Sequence, residues 1–317
     1  MPIECDDVAL FPRDIFGRKS DSRRNDISGQ PEPRLHSWVS RDGLRLYSRV
    51  YDAPGSGAGT VLCLHGLTRN SKDFEDLAPH LSRRYRVICP DLRGRGLSAY
   101  DPTWQNYHPG IYLADLADLL ASLGAKRLAV IGSSLGGRLA MLLPGFLPSS
   151  IAGIVLNDIG PEVDPVGAAR IRGQAGRLPP VGSWEEAAEQ LRLAFGAAWP
   201  GLSDDTWRRL VRRSYRENAT GIPVLECDPK VGEAARTIPA IPGDPWAVWA
   251  GLTSLSLPVL AIRGALSDFL SEATLARMRR EMPELITLTV EQRGHIPFLD
   301  EPECLAAIDD FLAKIAF

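Results

Sequence analysis

Leu128-Ala129-Val130-Ile131-Gly132-Ser133-Ser134-Leu135-Gly136-Gly137-Arg138 is the stretch that decides the fold. An apolar run of strand character enters a Gly/Ser turn, and a helical pattern leaves it from Leu135 to Leu143. Gly132-x-Ser134-x-Gly136 falls on the turn itself. A serine held there must adopt strained backbone angles, and small residues two before and two after it leave room for the bend. Its hydroxyl then projects at the carboxyl end of a sheet, above a helix N-terminus whose dipole favours negative charge. Ser134 is therefore the candidate nucleophile. The plain structural alternative is a Gly/Ser turn joining strand to helix.

The same rhythm extends on both sides. Val61 to Leu64, Val87 to Cys89, Ile154 to Leu156, Val259 to Ile262 and Ile286 to Val290 are short apolar runs. Their continuity suits parallel strands covered on both faces. Helical patterns separate them at Phe74 to Leu81, Ile111 to Leu123, Ala273 to Met282 and Cys304 to Ile315. This alternation predicts an α/β chain with a doubly wound, mostly parallel sheet. Alternating residues from Leu44 to Tyr51 beside Asp42-Gly43 predict an early antiparallel hairpin. Between Leu156 and Val259 lie about a hundred residues without a sheet-strand pattern. They carry helical stretches such as Trp184 to Phe195 and Asp204 to Arg216, and 161–250 is expected to form a helical cap. Core segments are expected at 34–160 and 251–317. Residues 1–33 lack periodicity and read as an N-terminal extension.

A serine nucleophile needs a base. Of the five histidines, His36, His80 and His108 fall in a polar stretch, a surface helix and a loop. His65 and His295 each follow a buried strand, so both land at the sheet edge where Ser134 lands. His295 also follows Ser134 in the chain, in the order serine, acid, histidine. It is the expected base. The acid that orients it is expected to be Asp268, in Arg263-Gly264-Ala265-Leu266-Ser267-Asp268, with Asp158 after the preceding strand as the alternative. An N-cap role would otherwise account for Asp268. A structural carboxylate at the cap entrance would account for Asp158. The oxyanion of acyl transfer needs donors, and the backbone N–H groups of Leu67 and Leu135 are the candidates. Gly66 allows close backbone approach.

The chain has 317 residues, 44% apolar and 24% charged, with net charge -3. It can bury a large core and shows no basic patch for nucleic acid. The five cysteines, Cys5, Cys63, Cys89, Cys227 and Cys304, form no C-x-x-C pair. Cys63 and Cys89 sit in apolar runs, which fits a reducing, cytoplasmic setting. No secretory pattern and no run of about 18 apolar residues is present, so no membrane partner is expected. No His/Cys/Asp/Glu spacing suggests a metal, and no cofactor is expected. Asp91-Leu92-Arg93-Gly94-Arg95-Gly96-Leu97-Ser98 lacks the phosphate-loop pattern and reads as a turn held by Asp91 and Arg93. Oligomeric state is not legible.

Taken together, Leu64-His65-Gly66, the 91–98 loop, the serine motif, Arg263-Gly264 with Asp268, and Gly294-His295 followed by Asp300-Glu301-Pro302 resemble the α/β-hydrolase superfamily from about Trp38 onward. The resemblance implies an eight-stranded sheet. Ser134 stands where epoxide hydrolases and dehalogenases of this fold carry aspartate. Leu156-Asn157-Asp158-Ile159-Gly160-Pro161 looks like bacterial members that cleave esters, lactones or carbon–carbon bonds. The expected activity is hydrolysis of a carboxylic ester or lactone of a small molecule through an acyl-enzyme. The alternative is hydrolysis of a carbon–carbon bond in an aromatic ring-cleavage product, whose carboxylate would need Arg69, Arg138 or Arg172. A non-catalytic binding protein on this scaffold is the remote third. Trp184, Trp199, Trp207, Trp246 and Trp249 either line a pocket for a bulky apolar substrate or pin the cap, with Trp246 the candidate contact.

Overall fold

The computed structural model describes residues 31–317 apart from Ser56, residues 238–243 and Ala316. The extension expected at 1–33 and Cys5 therefore fall wholly or mostly outside the described residues. The strands are β1 (Arg34–Val39), β2 (Arg45–Tyr51), β3 (Thr60–Leu64), β4 (Arg86–Asp91), β5 (Leu128–Ser133), β6 (Ile151–Asn157), β7 (Tyr215–Glu217), β8 (Pro223–Leu225), β9 (Val259–Gly264) and β10 (Ile286–Val290). The helices are α1 (Leu77–Leu81), α2 (Pro109–Ser122), α3 (Leu135–Phe146), α4 (Pro165–Gln174), α5 (Trp184–Phe195), α6 (Asp204–Ser214), α7 (Lys230–Thr237), α8 (Pro245–Ser254), α9 (Glu272–Glu281) and α10 (Pro302–Lys314). Eight strands form one sheet in the order β1-β2-β4-β3-β5-β6-β9-β10. The pairs β1·β2 and β2·β4 are antiparallel, and the rest are parallel.

The apolar runs are continuous because both faces of the sheet are covered. Leu62, Leu64, Val130, Leu156 and Ala261 point into a core layer shared with α2, α3, α8 and α9. Their neighbours Val61, Cys63, Ile131, Val155 and Ile262 point the other way, into a layer closed by α1 and α10. Strand period two thus buries every residue of β3, β5, β6 and β9. Truncating one such Leu or Ile to Ala would cost about 2–5 kcal/mol, since the close-packed layer cannot collapse around the gap. The cysteines among the described residues are free and buried.

The loop after β4 is fixed by charge. Asp91 accepts from the backbone N–H groups of Ser71 and Leu97. A side chain on Gly96 would meet the Asp91 carboxyl at 2.4 Å, and its φ of +56° suits glycine. Buried Arg93 pairs with Asp42, Asp101 and Asp115. The turn expected from the sequence is thereby accounted for without phosphate chemistry.

Above the carboxyl edge, α5, α6 and β7 share a small core of their own around Leu191, Trp199, Trp207 and Leu210. The segment expected to form a helical cap also contains the antiparallel hairpin β7–β8. Its strands have three residues each, too short to show a period. Helix α8, whose first half was placed in the cap on sequence grounds, instead packs Trp246, Trp249 and Leu252 into the main core.

Candidate active site

The tip of β5 explains the serine. Ser134 has φ 52° and ψ -114°, outside the regions that L-residues favour. The bend is tight enough that a side chain on Gly132 would meet Gly136 at 2.4 Å, and one on Gly136 would meet the Leu64 carbonyl at 2.0 Å. The Ser134 N–H donates to the Asn157 carbonyl at 3.1 Å, which ties the turn to the end of β6. The hydroxyl is thereby aimed out of the sheet edge.

His295 follows β10 and is buried beside it. Its Nε2 lies 3.0 Å from Ser134 Oγ, and its Nδ1 lies 2.7 Å from Asp158 Oδ2. The carboxylate can only accept, so Nδ1 carries the proton and Nε2 is free to accept from the serine hydroxyl. Asp158 is fully buried and also receives the Gly264 N–H at 2.9 Å and the Ser267 hydroxyl at 2.6 Å. Three donors therefore hold it in one orientation. Phe269 packs on the imidazole with ring centroids 4.2 Å apart.

Asp268, the acid expected from the sequence, makes no hydrogen bond to the histidine among the described residues. It pairs with Arg170 of α4 through both carboxylate oxygens, at 2.6 and 2.7 Å. This guanidinium holds its carboxyl below the usual range. The reason is reach. Asp158 directly follows β6 with φ 53° and turns under the imidazole. Asp268 lies four residues past β9, at the rim where α4 crosses. Gly167 allows that crossing, because a side chain there would strike the Asp268 carbonyl at 2.0 Å. Nothing in the local sequence named Arg170 as the partner. Asn157 was also missed. It donates to Ser133 Oγ at 2.9 Å and to the Pro297 carbonyl at 3.0 Å, joining the serine turn to the histidine loop.

The oxyanion candidates Leu67 and Leu135 line one cavity together with Ser134. Leu135 opens α3, where the first N–H groups have no intrahelical acceptor. Leu67 follows Gly66, and a side chain on Gly66 would lie 3.8 Å from the Ser134 Cβ. Among the described residues neither Leu67 N–H nor Leu135 N–H donates a hydrogen bond. The Leu67 carbonyl is held by Arg95 Nε at 2.9 Å. His65 steadies this loop. Burial pushes its pKa down to about 4, so the ring is neutral at neutral pH. It bonds the Gly66 carbonyl through Nδ1 at 2.8 Å and accepts the Leu92 N–H at Nε2, 3.1 Å away.

Known proteins share this frame. A family profile for the alpha/beta hydrolase fold matches residues 59–302. The chain belongs to the α/β-hydrolase family. This hydrolase is 31% identical over 293 residues to the 3-hydroxybutyrate-oligomer hydrolase of Cupriavidus necator, covering 90% of this chain and 99% of that protein. It is 29% identical to the 2-(acetamidomethylene)succinate hydrolase of Mesorhizobium japonicum, covering 81% and 89% of the two chains. The crystal structure of an alpha/beta hydrolase from Novosphingobium aromaticivorans superimposes with a TM-score of 0.84 at 41% identity, covering 90% and 99%.

Two cavities of the hydrolase adjoin Ser134. The larger, about 610 Å³, lies under the cap and is lined by apolar residues such as Leu178, Leu191, Phe195, Trp199 and Phe298, with His295 at its floor. Arg69 lines it but is engaged by Asp73 and Ser214. Arg213 lines it too and is engaged by Asp76 at 2.6 Å. The smaller, about 140 Å³, opens between α3, α4 and α7 and contains Arg138 and Arg172. Of the five tryptophans weighed as pocket walls, Trp199 lines the larger of these two cavities and the other four line neither. Its Nε1 bonds the Ile296 carbonyl at 3.0 Å, so the cap also grips the histidine loop. Trp246, a candidate substrate contact, instead packs in the core, with Nε1 on Glu162 at 3.0 Å and Arg277 over its ring. Among the described residues no helix is long and apolar enough to cross a membrane. No His/Cys/Asp/Glu group among them is arranged to hold a metal.

Proposed function

We propose that this α/β hydrolase cleaves carboxylic esters through an acyl-enzyme on Ser134, with His295 as base and Asp158 as the group that orients it. The observation that carries the reading is the continuous chain from Ser134 Oγ to His295 to buried Asp158. His295 takes the hydroxyl proton as Ser134 Oγ bonds to the ester carbonyl carbon. The Leu67 and Leu135 N–H groups receive the oxyanion. Collapse breaks the bond to the alcohol oxygen, which leaves with the proton from His295. Water then attacks the acyl-enzyme by the reverse proton path. The buried Asp158 carboxylate stabilises the transient imidazolium. The apolar cavity under the cap offers room for a hydrophobic ester, and the likeness to a hydrolase of a hydroxy-acid oligomer supports an ester bond, since hydroxy acids join through esters.

The test is labelling with a fluorophosphonate, followed by peptide mapping and a substrate panel. Modification at Ser134 that disappears in H295A, with turnover of simple esters reduced about a thousandfold or more in S134A, is the expected result. Ester turnover retained in purified, folded S134A would refute the acyl-enzyme. Turnover of dienoic keto acids without turnover of esters would move the assignment to carbon–carbon bond hydrolysis.

A further inference from the structure

Arginines occur in both cavities at Ser134, and they are treated differently. In the larger cavity Arg69 and Arg213 are neutralised by Asp73 and Asp76. In the smaller one Arg138 and Arg172 are in no ion pair and donate no side-chain hydrogen bond among the described residues. No acidic residue lines that cavity. Arg138 projects from α3 one turn after the nucleophile and is half-buried, and Arg172, exposed on α4, lines the same cavity. Burial, and then the nearby Arg172 charge, push the Arg138 pKa down. A half-buried guanidinium without a counter-ion, with a second one lining the same cavity, is electrostatically unfavourable in the free protein. A bound anion would relieve both, and the planar forks suit a carboxylate.

The position of His295 orients such a substrate. The imidazole must protonate the departing alcohol oxygen, so the alcohol portion lies on the His295 side. His295 lines only the larger cavity. The acyl portion points the other way, past Leu135 into the smaller cavity, which has room for a short chain.

We infer that the smaller cavity is an acyl pocket for a short chain ending in a carboxylate held by Arg138 and Arg172. This rests on the acyl-enzyme reading. The favoured substrates are then hemiesters of short dicarboxylic acids, with the apolar alcohol portion under the cap.

The experiment compares benzyl hemisuccinate with benzyl 4-methylpentanoate, in which an isopropyl group replaces the carboxylate. Release of benzyl alcohol is followed by chromatography. The wild-type protein should prefer the hemisuccinate in kcat/KM. That preference should fall about 10- to 100-fold in R138Q, the range expected for losing a charge-assisted contact. It should fall less in R172Q, whose guanidinium is more exposed, and R138K should restore part of it. Taking the ratio of two esters removes any general loss of activity. If R138Q does not fold, R172Q still carries the test. A wild-type preference for the uncharged ester, or a ratio unchanged in both variants, overturns the pocket while leaving the esterase reading intact. If neither ester is turned over, the esterase reading fails. Calorimetric titration of hemisuccinate into S134A then decides the pocket, with binding weakened by R172Q supporting it and no binding overturning it.

Discussion

Asp158 and Asp268 follow neighbouring strands of one sheet, and both end at the edge that carries Ser134. Asp158 is fully buried, takes three hydrogen bonds and touches the histidine. The Asp268 side chain is 36% exposed and is spent on a cap arginine. The contrast shows that order along the chain does not select the carboxylate that orients a base. Selection comes from the distance between strand end and imidazole, and from donors that satisfy a buried charge. Even Ser267, the residue beside Asp268, serves Asp158.

The sharpest break of this comparison is the pair D158N and D268N. In D158N the amide can present its NH2 to His295 Nδ1, which favours the tautomer with the proton on Nε2. We expect kcat/KM for a simple ester to fall about 10³- to 10⁴-fold with the fold retained. D268N should stay within about threefold, because its partner is Arg170 and no reacting atom. Steady-state kinetics on the two variants checks this. A large loss in D268N with D158N near wild type would reverse the assignment.

Removing one of Asp158's supports should have a smaller effect. The Ser267 hydroxyl donates to Asp158 and accepts from the backbone N–H groups of Phe269 and Leu270. S267A leaves Asp158 with the Gly264 N–H and His295. We expect about a tenfold loss in kcat with little change in KM, and a stability loss of about 1–2 kcal/mol from the unpaired turn N–H groups. Chemical denaturation and kinetics measure the two effects separately. A change in KM alone would mean that Ser267 acts on substrate and not through Asp158.

Much of this frame was legible in the sequence because period and turn chemistry act locally. The strands β3, β5 and β9 begin or end within a residue or two of their apolar runs, and α5 matches its helical stretch. Ser134 and His295, whose side chains the structure brings within hydrogen-bond distance, were legible as candidates because each sits at a strand end in a distinctive glycine context. The carboxylate that meets His295 was not, because two aspartates satisfied chain order and only tertiary geometry separates them. Trp246 misled for a similar reason, since an aromatic in a Pro/Gly-rich insertion looks like a pocket wall until α8 is seen to dock on the core. The β7–β8 hairpin was invisible because three-residue strands carry no period.

The smallest effect sharpens the comparison on the stability side. The Asp268 carboxyl is held below its ordinary value of 3.8 first by its hydrogen bond from Arg170. A depressed folded-state pKa contributes stability above the unfolded value, and that contribution is lost as pH falls through the folded value. D268N should therefore be slightly less stable than wild type at pH 7, by about 0–1 kcal/mol for an ion pair this exposed. The gap should narrow as pH falls below about 4, where Asp268 of the unfolded chain takes up its proton before the folded one does. His65 sets a background common to both proteins. Its folded pKa of about 4 lies below the ordinary 6.5, so both should lose stability as pH falls across that interval, when only the unfolded chain takes up the proton. Thermal unfolding of the two proteins at pH 7, 5 and 3 separates these contributions. Parallel losses from pH 7 to 5 with a narrower gap at pH 3 would place Asp268 in a cap-anchoring pair. A gap that widened on acidification would mean that Asp268 is protonated in the native state and that the Arg170 pair is not formed in solution.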